Sequence, residues 1–500
     1  MATAARFSIP RDVNAAEYLL ATGRDEAIAI ESDDARISYR ELRDAVARAA
    51  NAWRAFGLAP DDRVLVFAPD SIEWVIAYLG AIWAGGVAVG LNSRLFEREL
   101  TSILHESGAR FAWCTPEAAP LLERLAQGAA QRPRPIVDAD FRAAARRASP
   151  TPPAPRADED MALWIYTSGT TGVPKGVIHA QRMVIAATDC AATVLGATSA
   201  DRLYPSSKLF FAYALGNGLC AGLRLGATLV LDHEWPTAER VAAIVARHRP
   251  TIVFSVPTLY LKMLQTGVAQ RLAGVRRYVS AGEALPLAVR RGWREATGVE
   301  PVSAYGTSET IFLLFHCSDE SGVLTLSPRV EMRLPDPAPE PGAPHRLWLR
   351  HPSIALGYWR RPDADRDAFR DGWFSPGDLF QRAPDGRWAL CGRDDDMLKI
   401  SGQWVSILEV EQALAGACGA SIQELAAVGF RNADGLSSVA VFAVAAPGRE
   451  EVASGLLQKG IDALPKLKQP REIRWVSELP KTATGKLQRR RLRDAFPGNE

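Results

Sequence analysis

The chain has 500 residues, 47% hydrophobic and 23% charged, which reads as a soluble globular protein too long for one core, so two or more domains are expected. Lys+Arg 59 against Asp+Glu 57 leaves a formal charge of +2, too even for the broad positive field of a nucleic-acid binder. The six cysteines, at positions 114, 190, 220, 317, 391 and 418, form no CxxC pair, which argues against a disulfide scaffold or zinc ribbon and fits a reducing, cytoplasmic setting.

In chain order, residues 10–60 read as helical and amphipathic, above all YRELRDAVARAANAWRAFG, which closes on Gly57 as a helix C-cap. DRVLVFAP (62–69) is a short apolar strand. The stretch WVIAYLGAIWAGGVAVGL (74–91) is long enough to suggest a membrane span. Its four glycines and the turn-like LNSR that follows favour a buried helix running into a buried strand, so no membrane contact is expected. The start of the chain shows no apolar signal segment. RAAARRASPTPPAPRADED (142–160) is Pro/Ala-rich and charged, an exposed connector.

Further on, ATLVLD, TAERVAAIVARHRP, TIVFSVP, a helix and RRYVSAGE alternate as βαβαβ, the grammar of a parallel sheet. From about residue 340, short strands around DG turns suggest an antiparallel, barrel-like piece. A smaller unit follows residue 395: VSILEVEQALAG as helix, LAAVGF and SSVAVFAVA as strands, then a basic tail.

YTSGTTGVPKG (166–176) carries three glycines, several small hydroxyls, one lysine and no acid. Bare backbone N–H groups and short hydroxyls wrap phosphate oxygens without steric cost, and a lysine offsets their charge. The spacing is not that of a Walker A loop, and Pro174 before Lys175 prevents a helix from starting there. The segment after it, GVIHAQRMVIAATDCAATVL, is expected to become helical after a short extension. Alone, such a loop also fits a plain connector.

It is followed by AYGTSET (304–310), SPGDLF (375–380), GRDDDMLKISGQWVSILEVE (392–411) and PKTATGK (480–486). In this order and spacing the set resembles the signature of the adenylate-forming superfamily, which includes acyl- and aryl-CoA ligases, over nearly the whole chain. The resemblance implies an α/β fold: a large N-terminal domain (1–393) of mixed and parallel sheets flanked by helices, with the barrel-like piece. A small α+β C-terminal domain (394–500) would rotate about a hinge at Asp395. It implies an ATP-dependent enzyme that forms an acyl-adenylate and passes the acyl group to a thiol, with ATP, Mg²⁺ and coenzyme A as ligands, as a monomer or homodimer.

On that pattern Thr167, Ser168, Gly169, Thr170, Thr171 and Lys175 hold the β and γ phosphates. Glu309 carries Mg²⁺. Ala304, Tyr305, Gly306 and Thr307, with Gly282 and Glu283, form the nucleotide pocket, and Tyr305 stacks on adenine. Asp378 accepts from the ribose hydroxyls and Arg393 adds a second contact. Lys486 bridges the attacking carboxylate and the α-phosphate. After rotation, Gly402 and Trp404 line the pantetheine path and Arg471, in KLKQPRE, meets the nucleotide end of coenzyme A; Gln469 stands where a second basic residue is often seen. Of the seven scattered histidines, His179 is expected to serve packing or a polar core rather than as a base.

KLFFAYALGNGL (208–219), SAGEALP (280–286) and SGQWVSILEVE are most similar to benzoate-type CoA ligases. Phe211, Ala212, Tyr213, Gly306, Ile311 and Phe312 then wall a flat apolar slot. Gly306 stands where ligases of small acids have tryptophan, and Phe312 stands where benzoate ligases tend to have histidine. An aromatic carboxylate is the expected substrate. An alicyclic or medium-chain acid, transfer to a carrier-protein thiol, and a non-catalytic nucleotide-binding protein are the alternatives.

Overall fold

The computed structural model describes residues 14–168, 174–272, 274–337, 342–393, 397–400, 403–431, 436–481 and 487–496. Two large sheets organise residues 14–393. The nine-stranded one runs Thr325–Leu326, Phe315–Cys317, Val302–Tyr305, Arg277–Ser280, Ile252–Ser255, Arg202–Pro205, Thr228–Val230, Ile28–Glu31, Arg36–Ser38. Its six inner strands are parallel, and the strands beyond them at each edge are antiparallel. The seven-stranded sheet runs Gly357–Tyr358, Pro174–Ala180, Met161–Ser168, Val87–Gly90, Arg63–Phe67, Phe111–Cys114, Arg134–Val137.

The helix Tyr39–Phe56 shows why these segments fold as they do. Ser38 and Glu41 form a reciprocal capping box at its start, and Gly57 ends it in the left-handed region (φ 99°). Its apolar face buries Leu42, Val46, Ala49 and Trp53 against the helix Ile72–Trp83, and Trp53 Nε1 donates to the Ala77 carbonyl at 3.0 Å. The apolar stretch 74–91 is a buried helix entering the buried strand Val87–Gly90. No described helix is long and apolar enough to cross a membrane.

Four expectations change. Residues 10–60 are not wholly helical: the strands Ile28–Glu31 and Arg36–Ser38 separate two helices and join the large sheet, because Ile28 and Ile30 find in-register partners there. The connector begins as the helix Asp138–Arg147 and then lies on the body. Arg156, 7% exposed, pairs with Asp61 and Asp160, and Trp83 Nε1 donates to the Thr151 carbonyl. The stretch after Lys175 is a strand, Pro174–Ala180, followed by a 3₁₀ turn over Gln181–Ala186. The barrel-like piece is an open four-stranded sheet (Glu331–Arg333, Trp348–Arg350, Trp373–Phe374, Phe369–Arg370) beside the hairpin Asp378–Arg382/Trp388–Arg393, with no closed barrel among the described residues.

The C-terminal residues have their own three-stranded sheet, Ile422–Arg431, Ser437–Ala445 and Glu472–Trp475, covered by the helices Ile407–Cys418 and Glu450–Ala463. Arg489, in the basic tail, docks on this unit through a bidentate pair with Glu411 (2.6 and 3.0 Å).

Candidate active site

The described residues on either side of the phosphate-loop candidate are paired antiparallel strands. Met161–Ser168 pairs with Pro174–Ala180, and Thr167 lies opposite Lys175. Gly169, Thr170 and Thr171 lie outside the described residues. A cavity of about 40 Å³ is bounded by Leu91, Asn92, Tyr166, Thr167, Pro174 and Phe211.

On its other side the strand Pro174–Ala180 pairs antiparallel with Gly357–Tyr358, which brings Tyr358 beside Lys175. Tyr358 Oη donates to Glu309 Oε1 at 2.7 Å, and the Lys175 ammonium lies 5.5 Å from the Tyr358 ring centroid. Burial, and then the Glu309 charge, push the Tyr358 phenol well above its ordinary range, so it remains a proton donor. Nothing in the sequence reading marked Tyr358; the only signal was the Gly-Tyr pair in LGYW.

The Glu309 segment is anchored through its backbone as well. Ala355 N–H donates to the Glu309 carbonyl at 2.8 Å, and His179 Nε2 lies 2.8 Å from the Ser308 carbonyl and so carries the proton. His179 is fully buried, and burial lowers its imidazole to about 4, which keeps it neutral and bears out the polar-core reading rather than a base. Thr307 N–H donates to Thr310 Oγ1 at 2.9 Å, and Thr307 Oγ1 has no partner among the described residues.

A second phenol–carboxylate pair lies nearby. Tyr305, the last residue of its strand, donates from Oη to Asp378 Oδ2 at 2.6 Å, and its ring meets Phe315 and Phe380 edge-on. Burial first, then Asp378, raise this phenol well above its usual value. Asp378 lies directly opposite exposed Arg393 across a hairpin. The Arg393 charge is the smallest influence on both phenols, Tyr305 and Tyr358, and opposes the upward shift of each. Gly282 turns the chain after the strand Arg277–Ser280 at φ 91°, and Glu283 beside it is exposed. Ala304 is buried, with its side chain in a cluster that includes Ala281 and Leu313.

The proposed slot residues are mostly apolar and tightly placed. The segment from 208 is fixed at its start: Leu209 N–H donates to both Asp70 oxygens (3.2 and 3.0 Å), and Lys208 Nζ to the Asp232 carbonyl (2.6 Å). Phe211 lies 4.3 Å from the Phe210 ring, Ala212 is half-buried, and Tyr213 Oη donates to the Val279 carbonyl at 2.9 Å. Beyond Ala214 the helix widens into a π-turn over Leu215–Cys220. Ile311 (φ 51°) and Phe312 are buried. A Cβ on Gly306 would lie 2.6 Å from the Phe312 carbonyl oxygen, and one on Gly216 would lie 2.4 Å from that of Ile311. Bare backbone at these two glycines is what lets the 311–313 loop reach its place; Gly216 was not singled out from the sequence.

Of the remaining candidates, Ser168 ends its strand, Trp404 lies in the strand Gln403–Ser406, and Arg471 is exposed with its N–H on the Val439 carbonyl (2.8 Å). Asp395, Gly402 and Lys486 lie outside the described residues. Lys481 forms a bridge with Leu487, and Gln488 N–H donates to the Pro480 carbonyl (2.8 Å).

The described residues therefore hold two phenol–carboxylate pairs, Tyr358–Glu309 with the Lys175 ammonium at the Tyr358 ring and Tyr305–Asp378 with Arg393 opposite. Comparison with known proteins agrees with that chemistry. The family model described as AMP-binding enzyme matches residues 20–359, and the AMP-binding enzyme C-terminal domain matches 409–486. A 3-hydroxybenzoate–CoA/4-hydroxybenzoate–CoA ligase of Thauera aromatica is 38% identical over 512 residues, 97% of each chain. Among solved structures, an anthranilate CoA ligase in complex with anthranoyl-AMP superposes with a TM-score of 0.91 at 30% identity, over 97% of this chain and 98% of that one. A benzoate CoA ligase from Burkholderia xenovorans LB400 gives 0.87 at 33% identity, over 96% of this chain and 100% of that one. The chain belongs to the adenylate-forming AMP-binding enzyme family.

Proposed function

We propose that the chain is an ATP-dependent acid–CoA ligase acting on a benzoate-type aromatic carboxylate. What supports this is that Tyr358 contacts both Glu309 and Lys175, and that Asp378 lies opposite Arg393, in a chain whose relatives are named for aryl acids. A carboxylate cannot acylate a thiol directly, because its leaving group would be oxide. Attack of its oxygen on the α-phosphorus of ATP breaks the bond to pyrophosphate and gives an acyl-adenylate. A thiolate then attacks the acyl carbon and AMP departs.

The barrier in the first step is the approach of an anion to a polyanion, so catalysis is charge neutralisation and positioning. Lys175, Thr167, Ser168 and the hairpin tip hold the β and γ phosphates. Tyr305 provides the adenine face, Asp378 takes the ribose hydroxyls, and Arg393 adds a second contact to the ribose or phosphate. Lys486 enters from a C-terminal domain that begins after residue 393 and turns about Asp395; Gly402, Trp404 and Arg471 then meet coenzyme A.

Glu309 fits a hard divalent cation: its carboxylate holds one hydrogen bond, from Tyr358, leaving the second oxygen without one among the described residues. Mg²⁺ bound there would offset phosphate charge.

The test is to incubate the purified protein with ATP and a set of aromatic, alicyclic and medium-chain acids, with and without coenzyme A, and to follow pyrophosphate and thioester. Release that depends on an aromatic acid, with thioester only when coenzyme A is present, is expected. Activity only with a carrier-protein thiol, or none with any acid, would overturn the proposal.

A further inference from the structure

We propose that Tyr358 is a positioning residue that holds Glu309 and Lys175 apart and in place for the metal–triphosphate complex; this rests on the ligase reading above. Lys175 lies in the strand that pairs with Gly357–Tyr358, and among the described residues no ion pair joins it to Glu309. Tyr358 stands in contact with both. Its hydroxyl donates to Glu309 Oε1 at 2.7 Å, and its ring faces the Lys175 ammonium at 5.5 Å. Without it, opposite charges at short range would neutralise each other, and an incoming triphosphate would first have to part them.

The backbone fixes the tyrosine for this task. Gly357–Tyr358 pairs in register with Val177 and Ile178, Leu356 N–H donates to the Ile178 carbonyl and Trp359 N–H to the Gly176 carbonyl, both at 2.8 Å. Tyr358 N–H donates to Asp365 Oδ1 at 2.7 Å, and the ring packs edge-on against Phe369. A Cβ on Gly357, at φ 149°, would lie 2.9 Å from Asp365 Oδ1. The phenol thus sits on a braced edge strand, and only its hydroxyl and one ring face are given to the two charged groups.

The two parts of the side chain have separable duties. Tyr358→Phe keeps the ring that seats Lys175 and removes the tether on Glu309. It is expected to raise the Mg²⁺ concentration for half-maximal pyrophosphate release roughly tenfold, the loss of one hydrogen bond to a charged group. Mn²⁺ binding to the enzyme–ATP complex, read by electron paramagnetic resonance without turnover, should weaken in proportion. Thioester formation from synthetic acyl-adenylate should be unchanged, since that step does not use the triphosphate. Tyr358→Leu, which also removes the ring, should additionally raise the KM for ATP.

In the Glu309→Gln background the Tyr358→Phe change should lose most of its effect, because the tether no longer has a carboxylate to hold. A ring-fluorinated tyrosine at position 358 keeps the shape and alters donor strength, and gives a graded shift in metal requirement should Tyr358→Phe fail to fold. Metal titrations that superpose for wild type and either variant, or full additivity in the cycle, would overturn the proposal. A wild-type protein that binds Mn²⁺ with ATP but activates no acid would overturn the ligase reading alone, with the binding measurement still deciding the role of Tyr358.

Discussion

Tyr305 Oη donates a 2.6 Å hydrogen bond to Asp378 Oδ2, joining the residue assigned to the adenine face with the one assigned to the ribose. The phenol arrives at the end of a parallel strand and the carboxylate at the start of a hairpin, so this bond ties two separate sheets together. Tyr305→Phe keeps the ring and frees the carboxylate. The KM for ATP is expected to rise roughly tenfold with a smaller change in kcat, measured as pyrophosphate release at saturating acid. An unchanged KM would separate Asp378 from nucleotide binding.

The division of labour between the two half-reactions gives opposite phenotypes. Lys486→Ala should lower adenylation on the order of a hundredfold or more while sparing thioester formation from supplied acyl-adenylate. Gly402→Leu should do the reverse, because a side chain there obstructs the pantetheine path. Equal loss of both half-reactions in Lys486→Ala would contradict the domain-rotation account.

Phe312, buried and apolar, is proposed as a wall of the acid slot. Unsubstituted, ortho-substituted or alicyclic ring acids should be preferred over para-hydroxy acids, since a polar group facing the ring lacks a partner at about 1–3 kcal/mol. Phe312→His should move kcat/KM toward polar-substituted benzoates by roughly tenfold. An unchanged ranking of acids would take Phe312 out of the slot.

Gly306 and Phe312 are mechanically coupled. Gly306→Ala places a methyl 2.6 Å from the Phe312 carbonyl oxygen, which is backbone and cannot rotate away. The loop must shift at a cost of about 1–3 kcal/mol. The expected result is a lower melting temperature together with reduced kcat/KM for aromatic acids; wild-type values for both would show that the loop yields freely.

Asp201 offers a pH test of stability. Burial raises its carboxyl, but hydrogen bonds from Arg276, Thr251 and the Thr198 N–H outweigh this and hold it down to about 2. A lowered native value means stability that is complete above the ordinary carboxyl range and is lost as pH falls toward about 2. Asp201→Asn should therefore cost on the order of 2 kcal/mol near neutrality, and the gap in urea midpoint should narrow as pH drops from about 5 toward about 3. A gap that does not vary with pH would mean that the charge contributes nothing.

Residues that sit in local motifs were readable: Lys175, Tyr305, Glu309 and Asp378 could be named because their motifs, in order along the chain, resemble the adenylate-forming signature. What sequence could not show were relations made by folding. Tyr358 lies 49 positions from Glu309 and meets it only because its short strand pairs with the far side of the phosphate hairpin. The segment after Lys175 has apolar residues that suit a helix or a strand, and its pairing with Met161–Ser168 decides for the strand. Arg156 looked solvated in a Pro/Ala-rich stretch, but Asp61 and Asp160 make its burial tolerable. Gly306 and Gly216 were bare backbone in the sequence, and the loop between them that requires it became visible only in three dimensions.

The central claim is that one chain makes an acyl-adenylate and then discharges it to coenzyme A. A single-turnover experiment tests this most directly: enzyme, ATP, Mg²⁺ and benzoate are mixed without coenzyme A, quenched, and analysed by mass spectrometry before and after coenzyme A is added. The account predicts enzyme-bound benzoyl-AMP with stoichiometric pyrophosphate, converted on addition to benzoyl-CoA and AMP. Formation of ADP and phosphate, or a benzoyl-AMP that persists after coenzyme A is supplied, would contradict it.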